Sequence, residues 1–426
     1  MKFHIRNFGC RATQSDGAAL TAAMAAGGHE AACGCADADL VILNTCTVTS
    51  GADNDVRQAV YRVRRENPSA QILVTGCFAQ RAPQEAAALP GVAWVVGNTH
   101  KMRIPEIVGA GGPAPAECLC HVGDILLEQE FAAAPVLEAA EDRTRPNLKI
   151  QDGCNNRCTF CIIPSVRGRS RSAPPDLVVE QVRVLGARYC EVVLSGINLG
   201  RWGREPGIQV RLVKLLRRLL EETNVQRLRL SSVEPMDLSD ELLELMAGTP
   251  RIAQHVHAPM QSGSDAVLRR MRRWYRARHY ADRIQQARAR MPEAAIGGDV
   301  MVGFPGESEA EFEETRALIE SLPFTYLHVF TYSARPGTPA ASMSSQVPVR
   351  ERKRRNRVLR ELGAAKNLEL RRGMVGTRLS AVTIEDGSVA LSSYYLKIEL
   401  ASSREPNRMI EVEVGGVTEG GLSAIW

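Results

Sequence analysis

The most informative stretch of this chain is QDGCNNRCTFC at residues 151–161. Its three cysteines, Cys154, Cys158 and Cys161, have the spacing C-x-x-x-C-x-x-C. Three thiolates on one short loop can hold three irons of a cubane iron–sulfur cluster and leave the fourth iron without a protein ligand. An open metal position is typical of a catalytic site, whereas a zinc knuckle needs a fourth ligand nearby. The polar loop therefore favours an iron–sulfur cluster over zinc or over buried thiols.

The composition is that of a globular protein with more than one domain. A length of 426 residues exceeds one ordinary domain, and 44% hydrophobic and 24% charged residues are ordinary values. The chain has no apolar stretch long enough for a membrane span and no apolar secretion-signal core at its start, so we expect a cytoplasmic protein. There, eleven cysteines indicate metal or redox chemistry rather than disulfides. Five of them show no convergent placement and are interpreted as structural or incidental: Cys33, Cys35, Cys118, Cys120 and Cys190.

Residues 1 to about 110 alternate strand-like and helix-like patterns, which predicts a doubly wound parallel sheet. The predicted strands are 2–8, 40–44, 71–75 and 92–96, and the predicted helices are 16–26 and 53–66. Cys10, Cys46 and Cys77 each directly follow one of the first three strands. Open α/β sheets bind ligands at the carboxyl ends of their strands, so these cysteines could form a second three-thiolate site. A single cysteine in such a place is more often a small buried residue.

A second series of strands and helices runs from about residue 148 to 371. The predicted strands are 148–151, 191–194, 227–230, 254–257, 298–301 and 326–330, and the predicted helices are 176–185, 210–222, 239–247, 265–291 with a break near Arg276, and 307–321. Six such units suit an open three-quarter barrel, in which the loops after the strands carry the chemistry. Polar or glycine-rich segments fall on these loops at 195–198, 231–235, 260–265, 303–307 and 333–338. Each could be an ordinary turn, but together on one rim they indicate an active site.

The C-terminal part has two distinctive segments. Residues 349–373 carry ten lysines and arginines against three acids, which fits either contact with a polyanion or a solvated helix face. Residues 374–426 have short β-branched runs and many glycines, which predicts a small β-barrel. Linker-like segments at 109–115 and 132–146 flank a possible β-ribbon at 121–131. We therefore expect units at 1–112, 113–145, 146–372 and 373–426.

The cysteine loop resembles that of radical S-adenosylmethionine (SAM) enzymes. Its context, GCNNRCTFCIIP at 153–164 followed by Arg167-Gly168, resembles their methylthiotransferase branch. The resemblance covers the whole chain and implies a three-cysteine N-terminal domain, an open (β/α)6 radical SAM partial barrel and a C-terminal TRAM-like β-barrel. NTCTVT at 44–49 and RLSSVEP at 229–235 look most like the tRNA threonylcarbamoyladenosine enzymes. Thr13 stands where these families usually have Asn.

The resemblance also implies cofactors and residue roles. Two [4Fe–4S] clusters and SAM are expected. Cys154, Cys158 and Cys161 would hold the cluster that cleaves SAM to a radical. Cys10, Cys46 and Cys77 would take the catalytic role of holding an auxiliary cluster that carries the sulfur, and a second SAM would supply the methyl group. The residues expected to bind SAM are Ser195, Asn198, Ser232, Glu234, Gly263, Asp299, Gly303 and Arg335, with Gln261 beside the reacting centre. Glu234 could instead cap the helix that begins near Ser239.

The implied reaction is insertion of a methylthio group at C2 of N6-threonylcarbamoyladenosine at position 37 of tRNA, next to the anticodon. The hydrogen on C2 is unactivated, so its removal requires a cofactor radical. An unpaired anticodon-loop base can enter a pocket without opening a duplex. The resemblance implies tRNA as partner, contacted by the basic helix and by residues 269–276. It also implies a reductant such as flavodoxin or ferredoxin, a sulfur source and a monomeric state.

Three alternatives remain open at this point. The substrate could be isopentenyladenosine of tRNA. It could also be an aspartate of a small-subunit ribosomal protein, because IIPS at 162–165 resembles that enzyme as well. In a different class, the chain could be a non-catalytic iron–sulfur electron-transfer or sensor protein. Two three-cysteine sites argue against the last alternative, since electron carriers usually close their clusters with four ligands.

Overall fold

The N-terminal part of the chain forms a parallel sheet of six strands. The structure, a computed structural model, describes residues 1–109, 117–132, 136, 138–139, 144–205, 207–208 and 210–425. The strands of this sheet are β1 (Lys2–Asn7), β2 (Glu30–Ala31), β3 (Leu40–Thr45), β4 (Gln71–Gly76), β5 (Val92–Val96) and β6 (Leu119–His121). Their order is β2-β1-β3-β4-β5-β6, and every pairing is parallel.

Helices cover both faces of this sheet. They are α1 (Arg11–Ala26), α2 (Ser50–Glu66), α3 (Cys77–Arg81), α4 (Pro83–Ala87) and α5 (Ile104–Val108). Successive residues of β3 point to opposite faces, so Val41 and Leu43 join one core and Leu40 and Ile42 the other. A strand buried on both faces is typical of a doubly wound sheet, which confirms the predicted fold class of this part.

Two details of the N-terminal part differ from the sequence prediction. Helix α1 begins at Arg11 rather than at residue 16. Its N-cap residue is Cys10, whose side chain makes no cap hydrogen bond, so the sequence has no ordinary N-cap signal at this position. Among the described residues of 121–131 there is no ribbon; Leu119–His121 pairs with β5 as an edge strand, and Ile125–Leu127 forms one 3₁₀ turn. Three residues are too few to show strand periodicity, and their pairing partner is distant in sequence. The predicted linkers at 109–115 and 132–146 lie largely outside the described residues.

The central part is an open barrel of six parallel strands. They are β7 (Asn147–Asp152), β9 (Glu191–Gly196), β10 (Arg227–Leu230), β11 (His255–His257), β12 (Ala295–Val302) and β13 (Tyr326–Thr331), with β8 (Arg171–Ser172) antiparallel at the edge of β7. Hydrogen bonds connect β8-β7-β9-β10 and β11-β12-β13, and one parallel bridge between Leu228 and Ile252 joins the two groups. This confirms the predicted open barrel.

Helices lie on the outside of the barrel. They are α6 (Ile163–Arg167), α7 (Pro175–Arg188), α8 (Leu212–Glu222), α9 (Asp240–Ala247), α10 (Asp265–Arg270), α11 (Ala277–Arg290), α12 (Glu309–Ser321) and α13 (Val349–Gly373). Leu215 and Leu219 of α8 pack with Leu194 of β9 in the main hydrophobic core. The helix predicted at 265–291 is interrupted between α10 and α11, as expected near Arg276. None of the helices in the described parts of the chain is both long and apolar enough to cross a bilayer.

Helix α13 carries the basic run and packs along β13. Arg355 is buried, and it pairs with Glu307, Glu309 and Glu351. Arg352 donates a 3.0 Å hydrogen bond to the Tyr332 carbonyl. Part of the basic charge is therefore used inside the fold, and only the remainder is available for contact with a polyanion.

The C-terminal part is a closed five-stranded barrel. Its strands are β14 (Arg378–Ile384), β15 (Val389–Ser392), β16 (Lys397–Glu399), β17 (Met409–Val417) and β18 (Leu422–Ala424), closed in the order β14-β15-β16-β18-β17. Closure removes the exposed strand edges of so small a sheet and confirms the predicted β-barrel. Buried Arg227 and Arg229 of the open barrel donate to the Leu391 and Ser392 carbonyls, while Glu191 binds both guanidinium groups. This network fixes the small barrel against the open one.

Candidate active site

The carboxyl edge of the N-terminal sheet brings Cys10, Cys46 and Cys77 together. The three cysteines follow β1, β3 and β4, which are neighbours in the sheet. Gly9 has a φ of +96°, and a Cβ built there would lie 2.6 Å from the Cβ of Cys46. Only glycine allows the chain to pass Cys46 this closely and turn into α1. We call these three residues the N-terminal trio.

Two thiols of the N-terminal trio, those of Cys46 and Cys77, are buried, whereas Cys10 is exposed. Burial raises the pKa of Cys46 to about 12, and the neighbouring Cys77 and Cys10 sulfurs add to the shift. Asn98 Nδ2 lies 3.7 Å from Cys77 Sγ, and Thr13 Oγ1 lies 3.6 Å from Cys10 Sγ.

The second group, which we call the barrel trio, is Cys154, Cys158 and Cys161 on the loop between β7 and α6. Gly153, with a φ of +68°, begins this loop, and a Cβ there would lie 1.9 Å from the Arg169 carbonyl oxygen. The Cys154 amide donates to the Gly168 carbonyl at 3.0 Å and closes the loop. Burial raises the pKa of Cys161 to about 12.

Polar donors surround the sulfurs of the barrel trio. The Asn156 amide and Asn198 Nδ2 donate to Cys154 Sγ at 3.4 and 3.8 Å. Arg273 Nη1 donates to Cys158 Sγ at 3.3 Å, and Arg273 also pairs with Glu234. Hydrogen-bond donors that point at sulfur stabilise the thiolate form. They also tune the reduction potential of an iron–sulfur cluster bound by those thiolates.

One cavity of about 640 Å³ is lined by cysteines from both trios. From the N-terminal trio, Cys10 lines this cavity, and from the barrel trio all three cysteines do. The C-terminal barrel contributes Tyr395. Side chains from all three parts of the protein therefore enclose the same space.

Buried ion pairs hold the N-terminal sheet in this position. Asp16 of α1 binds Arg167 at 3.0 Å and also pairs with Lys149 of β7. Burial would raise the pKa of Asp16, but Lys101, Lys149 and Arg167 outweigh this effect and hold it well below its usual range. On the other side, Asp53 of α2 binds Arg335. Because breaking such pairs leaves a buried charge, they fix the position of the N-terminal trio relative to the barrel.

Four of the nine residues expected at SAM or the reacting centre line the cavity: Ser232, Glu234, Gln261 and Asp299. Glu234 is ion-paired with Arg273, whereas Ser239 caps α9 through its own side chain. Gln261 has a φ of +63°, a conformation that costs a non-glycine residue of order 1–3 kcal/mol and that clusters at functional sites.

Ser195 and Asn198 lie behind the cysteine loop. Asn198 reaches Cys154, and its Oδ1 has no hydrogen-bond partner among the described residues. The buried Ser195 and Ser231 hydroxyls also have no hydrogen-bond partner among the described residues. Buried polar atoms are normally paired, so the lack of a partner at these three atoms is unusual.

Gly263, Gly303 and Arg335 are not among the residues that line the cavity. The Gly263 amide donates to Thr315 Oγ1 at 3.0 Å, where the glycine allows close packing on α12. The Gly303 amide binds the Glu307 carboxylate. Arg335 is buried and pairs with Asp53 of the N-terminal part. Glycines and prolines identify the rim loops but not the direction in which each side chain points.

The cavity also has a polar wall that the sequence patterns did not identify. It contains Arg11, His255, His257, Tyr326, His328 and Tyr395. His257 Nε2 and His328 Nδ1 lie 3.0 and 3.2 Å from Asp299 Oδ1. Although burial opposes it, these hydrogen bonds hold the pKa of Asp299 well below its usual range. The alternation His255-Val256-His257 at a strand end was the only local signal, since the other members come from distant segments.

The donor sets fit the cofactors that the resemblance implies. Each trio offers three sulfur ligands of the kind that iron–sulfur clusters require, and a cubane cluster held by three of them would keep one iron without a protein ligand. Next to the barrel trio, unpartnered Ser195 Oγ, Asn198 Oδ1 and Ser231 Oγ suit the polar groups of SAM.

Comparison with known proteins agrees with this site. The family model of the radical SAM superfamily matches residues 148–319, and the model described as "Uncharacterized protein family UPF0004" matches residues 2–97. The chain is 37% identical to the threonylcarbamoyladenosine tRNA methylthiotransferase MtaB of Aquifex aeolicus over 97% of this chain and 100% of that protein. It is 43% identical to MtaB of Bacillus subtilis over 73% and 68% of the two chains. It is 36% identical to the tRNA-2-methylthio-N(6)-dimethylallyladenosine synthase of Parafrankia sp. over 90% and 78%.

Solved structures with little sequence identity share the fold. The radical SAM methyltransferase TsrM from Kitasatospora setae, with cobalamin and a [4Fe-4S] cluster bound, superposes with a TM-score of 0.57 at 15% identity over 80% of this chain and 76% of that one. The cobalamin-dependent radical SAM enzyme OxsB gives a TM-score of 0.51 at 10% identity over 86% and 56%. Family models, full-length relatives and fold agree on an enzyme that uses [4Fe–4S] clusters and SAM. The chain belongs to the radical SAM methylthiotransferase family.

Proposed function

We propose that this protein is a tRNA methylthiotransferase that replaces the hydrogen on C2 of N6-threonylcarbamoyladenosine, next to the anticodon, by a methylthio group. The observation that carries the proposal is the single cavity on which Cys10 and the barrel trio meet. Relatives that match most of this chain have the name of this activity. The isopentenyladenosine and ribosomal-protein alternatives have less support.

The six cysteines would hold the two clusters. Cys154, Cys158 and Cys161 would ligate the one at the cysteine loop, and Cys10, Cys46 and Cys77 the one at the sheet edge. When bound, the clusters and SAM supply a radical that removes hydrogen from an unactivated carbon and a sulfur atom that takes its place. The N-terminal trio would thus have the catalytic role of presenting sulfur to the cavity.

Side chains around the barrel trio would bind SAM. Ser232 and Glu234, both on the cavity wall, would contact its ribose. Asn198 and Ser195 would bind its polar end through their unpartnered oxygens. Arg273 would hold Glu234 in place and neutralise charge at Cys158, because it contacts both.

Gln261 and Asp299 would lie beside the reacting centre. The Gln261 amide donates to the Asp299 carbonyl at 2.8 Å, and its carbonyl accepts from the Met301 amide at 2.9 Å. These bonds keep the residue in its left-handed conformation and its side chain at the cavity. Asp299 stays ionised between its two histidines, so it can accept a hydrogen bond but does not donate a proton.

The partner would be the anticodon loop of a tRNA, since an unpaired nucleotide can enter the cavity without loss of base pairs. The part of α13 that is not paired internally, and Trp274, which is 80% exposed, offer cationic and stacking contacts to RNA. A small electron carrier such as flavodoxin or ferredoxin would supply electrons, and a separate donor would supply sulfur. The complete set of cluster ligands comes from one chain, which supports a monomer.

Complementation tests this function. A bacterial strain that lacks its own threonylcarbamoyladenosine methylthiotransferase would receive either this chain or its Cys154→Ala variant. Mass spectrometry of digested tRNA should show 2-methylthio-N6-threonylcarbamoyladenosine only with the unmodified chain. Appearance of the methylthio group on isopentenyladenosine, or on the ribosomal protein, would replace the proposal by that alternative.

A further inference from the structure

The polar wall of the cavity joins three distant parts of the chain around one arginine. Arg11 is the first residue of α1, and its Nη2 donates to the Tyr395 hydroxyl of the C-terminal barrel at 3.2 Å. Its guanidinium carbon lies 5.8 Å from the centre of the Tyr395 ring. The centre of the Tyr395 ring in turn lies 5.7 Å from that of Tyr326 of β13, and the centres of the Tyr326 and His328 rings lie 5.3 Å apart. The side chain of Arg11 is therefore held in place at one end of a continuous aromatic surface.

The charges in the cavity are unequally matched. Glu234 is paired with Arg273, and Asp299 accepts hydrogen bonds from two histidines. Arg11 differs, because no carboxylate in the described parts of the chain lies within 4.0 Å of its guanidinium. Its only side-chain hydrogen bond among these residues goes to the Tyr395 hydroxyl. A partly buried guanidinium on a cavity wall without an anionic partner suits a ligand that brings an anion.

We propose that Arg11, positioned by Tyr395, binds the carboxylate of an amino-acid substituent on N6 of the substrate adenosine. The proposal rests on the proposed function and names the residue that selects this substrate. A guanidinium can take a carboxylate through two parallel hydrogen bonds. An isopentenyl substituent has no group that could pair with Arg11, so its entry would leave the arginine desolvated and unpaired.

Because Arg11 is the neighbour of Cys10 in the sequence, its contact with the substituent would also position the adenine ring. Arg11 directly follows Cys10, and both line the cavity. An adenosine anchored through its N6 substituent would be held at a fixed distance from the N-terminal trio. Arg11 would therefore couple recognition of the substituent to placement of the ring. It would act as a specificity and positioning residue and not as a participant in bond breaking.

An RNA phosphate is the other source of an oxyanion for Arg11, and the test separates the two. One tRNA sequence is prepared with N6-threonylcarbamoyladenosine and with unmodified adenosine, so that only the substituent differs. Affinities for both are measured with the loaded wild-type enzyme and with Arg11→Gln, Arg11→Lys and, as a matched control, Arg183→Gln. Arg183 is an exposed arginine on α7, outside the cavity, and pairs with Glu180.

We expect Arg11→Gln to lose about tenfold in affinity for the modified tRNA, the scale of a hydrogen bond to a charged group, and to bind unmodified tRNA as before. The KM for the modified tRNA should rise more than kcat falls. Arg11→Lys should restore part of the preference, and Arg183→Gln should behave as wild type. Equal weakening on both tRNAs would assign Arg11 to a phosphate, and an unchanged preference would remove it from recognition. Either result overturns the proposal.

A second variant covers the case in which Arg11→Gln loses its clusters. Tyr395→Phe lies on the C-terminal barrel and removes only the hydroxyl that accepts from Arg11. Iron content should stay at the wild-type level while the preference for the modified tRNA falls; an unchanged preference contradicts the proposal. A failure of the proposed function looks different, because wild-type enzyme with both clusters would then leave the modified tRNA without a methylthio group.

Discussion

Cys10 and Cys154 line the same cavity, although one follows the first strand of the N-terminal sheet and the other the first strand of the open barrel. Their convergence depends on buried ion pairs between the two parts, notably Asp16 with Arg167 and Asp53 with Arg335. In the proposed function, the site that makes the radical and the site that holds the sulfur would thus open on one cavity. The predictions below test the cysteine sites, the residues around SAM and the interfaces.

Substitution of either cysteine trio should remove one cluster and leave the other. Cys154→Ala/Cys158→Ala/Cys161→Ala and Cys10→Ala/Cys46→Ala/Cys77→Ala should each retain about four irons per chain, against about eight in the wild type. Iron analysis and electron paramagnetic resonance after anaerobic reconstitution measure this. Cys33→Ala, at an exposed cysteine, is the control and should keep all the iron. A variant of either trio with a full complement of iron would show that the assignment of ligands is wrong.

Glu234→Gln should weaken SAM binding. Glu234 lies on the cavity wall and is held by Arg273, so neutralising it removes a charged hydrogen bond, and a rise of about tenfold in the KM for SAM is expected. Initial rates of 5′-deoxyadenosine formation provide the measurement. Glu241→Gln on α9, where the carboxylate is exposed and pairs with Arg217, is the matched control. An unchanged KM would leave Glu234 with a structural role only.

Arg335→Met should uncouple SAM cleavage from product formation. Asp53 pairs with both Arg335 and Arg81, so the substitution removes one of its two cations and should destabilise by less than the about 3–5 kcal/mol of a buried charge left without any partner. The N-terminal trio would then be less firmly held, while the barrel trio is untouched. The ratio of methylthiolated nucleoside to 5′-deoxyadenosine should fall. A raised KM for SAM at constant ratio would instead support the cofactor role that the sequence suggested.

Glu191→Gln should loosen the C-terminal barrel in a pH-dependent way. Although burial opposes ionisation, Arg229, Arg227 and Arg145 hold the pKa of Glu191 well below its usual range. A depressed folded-state pKa contributes stability that is fully present above the unfolded-state pKa of about 4.3 and is lost as pH falls below it.

Chemical unfolding at pH 7 should therefore show a loss of about 3–5 kcal/mol for Glu191→Gln, because two arginines lose their buried counter-ion. As the pH falls below about 4, the wild type should lose this advantage over the variant. Glu222→Gln, at an exposed i,i+4 pair with Arg218, should have little effect at either pH. A difference between wild type and Glu191→Gln that is constant with pH would contradict the charge argument.

The sequence predicted the order and class of the elements because their signals are local. The strand predicted at 227–230 has the bounds observed for β10, and the break near Arg276 separates α10 from α11. The six cysteines could be grouped because each N-terminal member follows a strand. Hydrophobic periodicity and strand-end position require no knowledge of tertiary packing.

The polar wall could not be predicted, because packing brings its residues together. Arg11, His328 and Tyr395 come from a helix start, a strand and a barrel loop, and each is ordinary in its local sequence. For the same reason the sequence did not predict that Arg335 pairs with Asp53 of another part of the chain. Residue type and rim position identified the loops, and only the folded chain shows which side chains face the cavity.

The most direct test of the account is a single-turnover reaction of the fully reconstituted enzyme with SAM, a reductant and tRNA that carries N6-threonylcarbamoyladenosine. Nucleoside mass spectrometry and 5′-deoxyadenosine are read from the same sample. Wild type should give both the methylthio nucleoside and 5′-deoxyadenosine, and Cys10→Ala/Cys46→Ala/Cys77→Ala should give 5′-deoxyadenosine alone. Methylthiolation by that variant, or its absence from wild type with both clusters loaded, would contradict the claim that the two trios act together on this nucleoside.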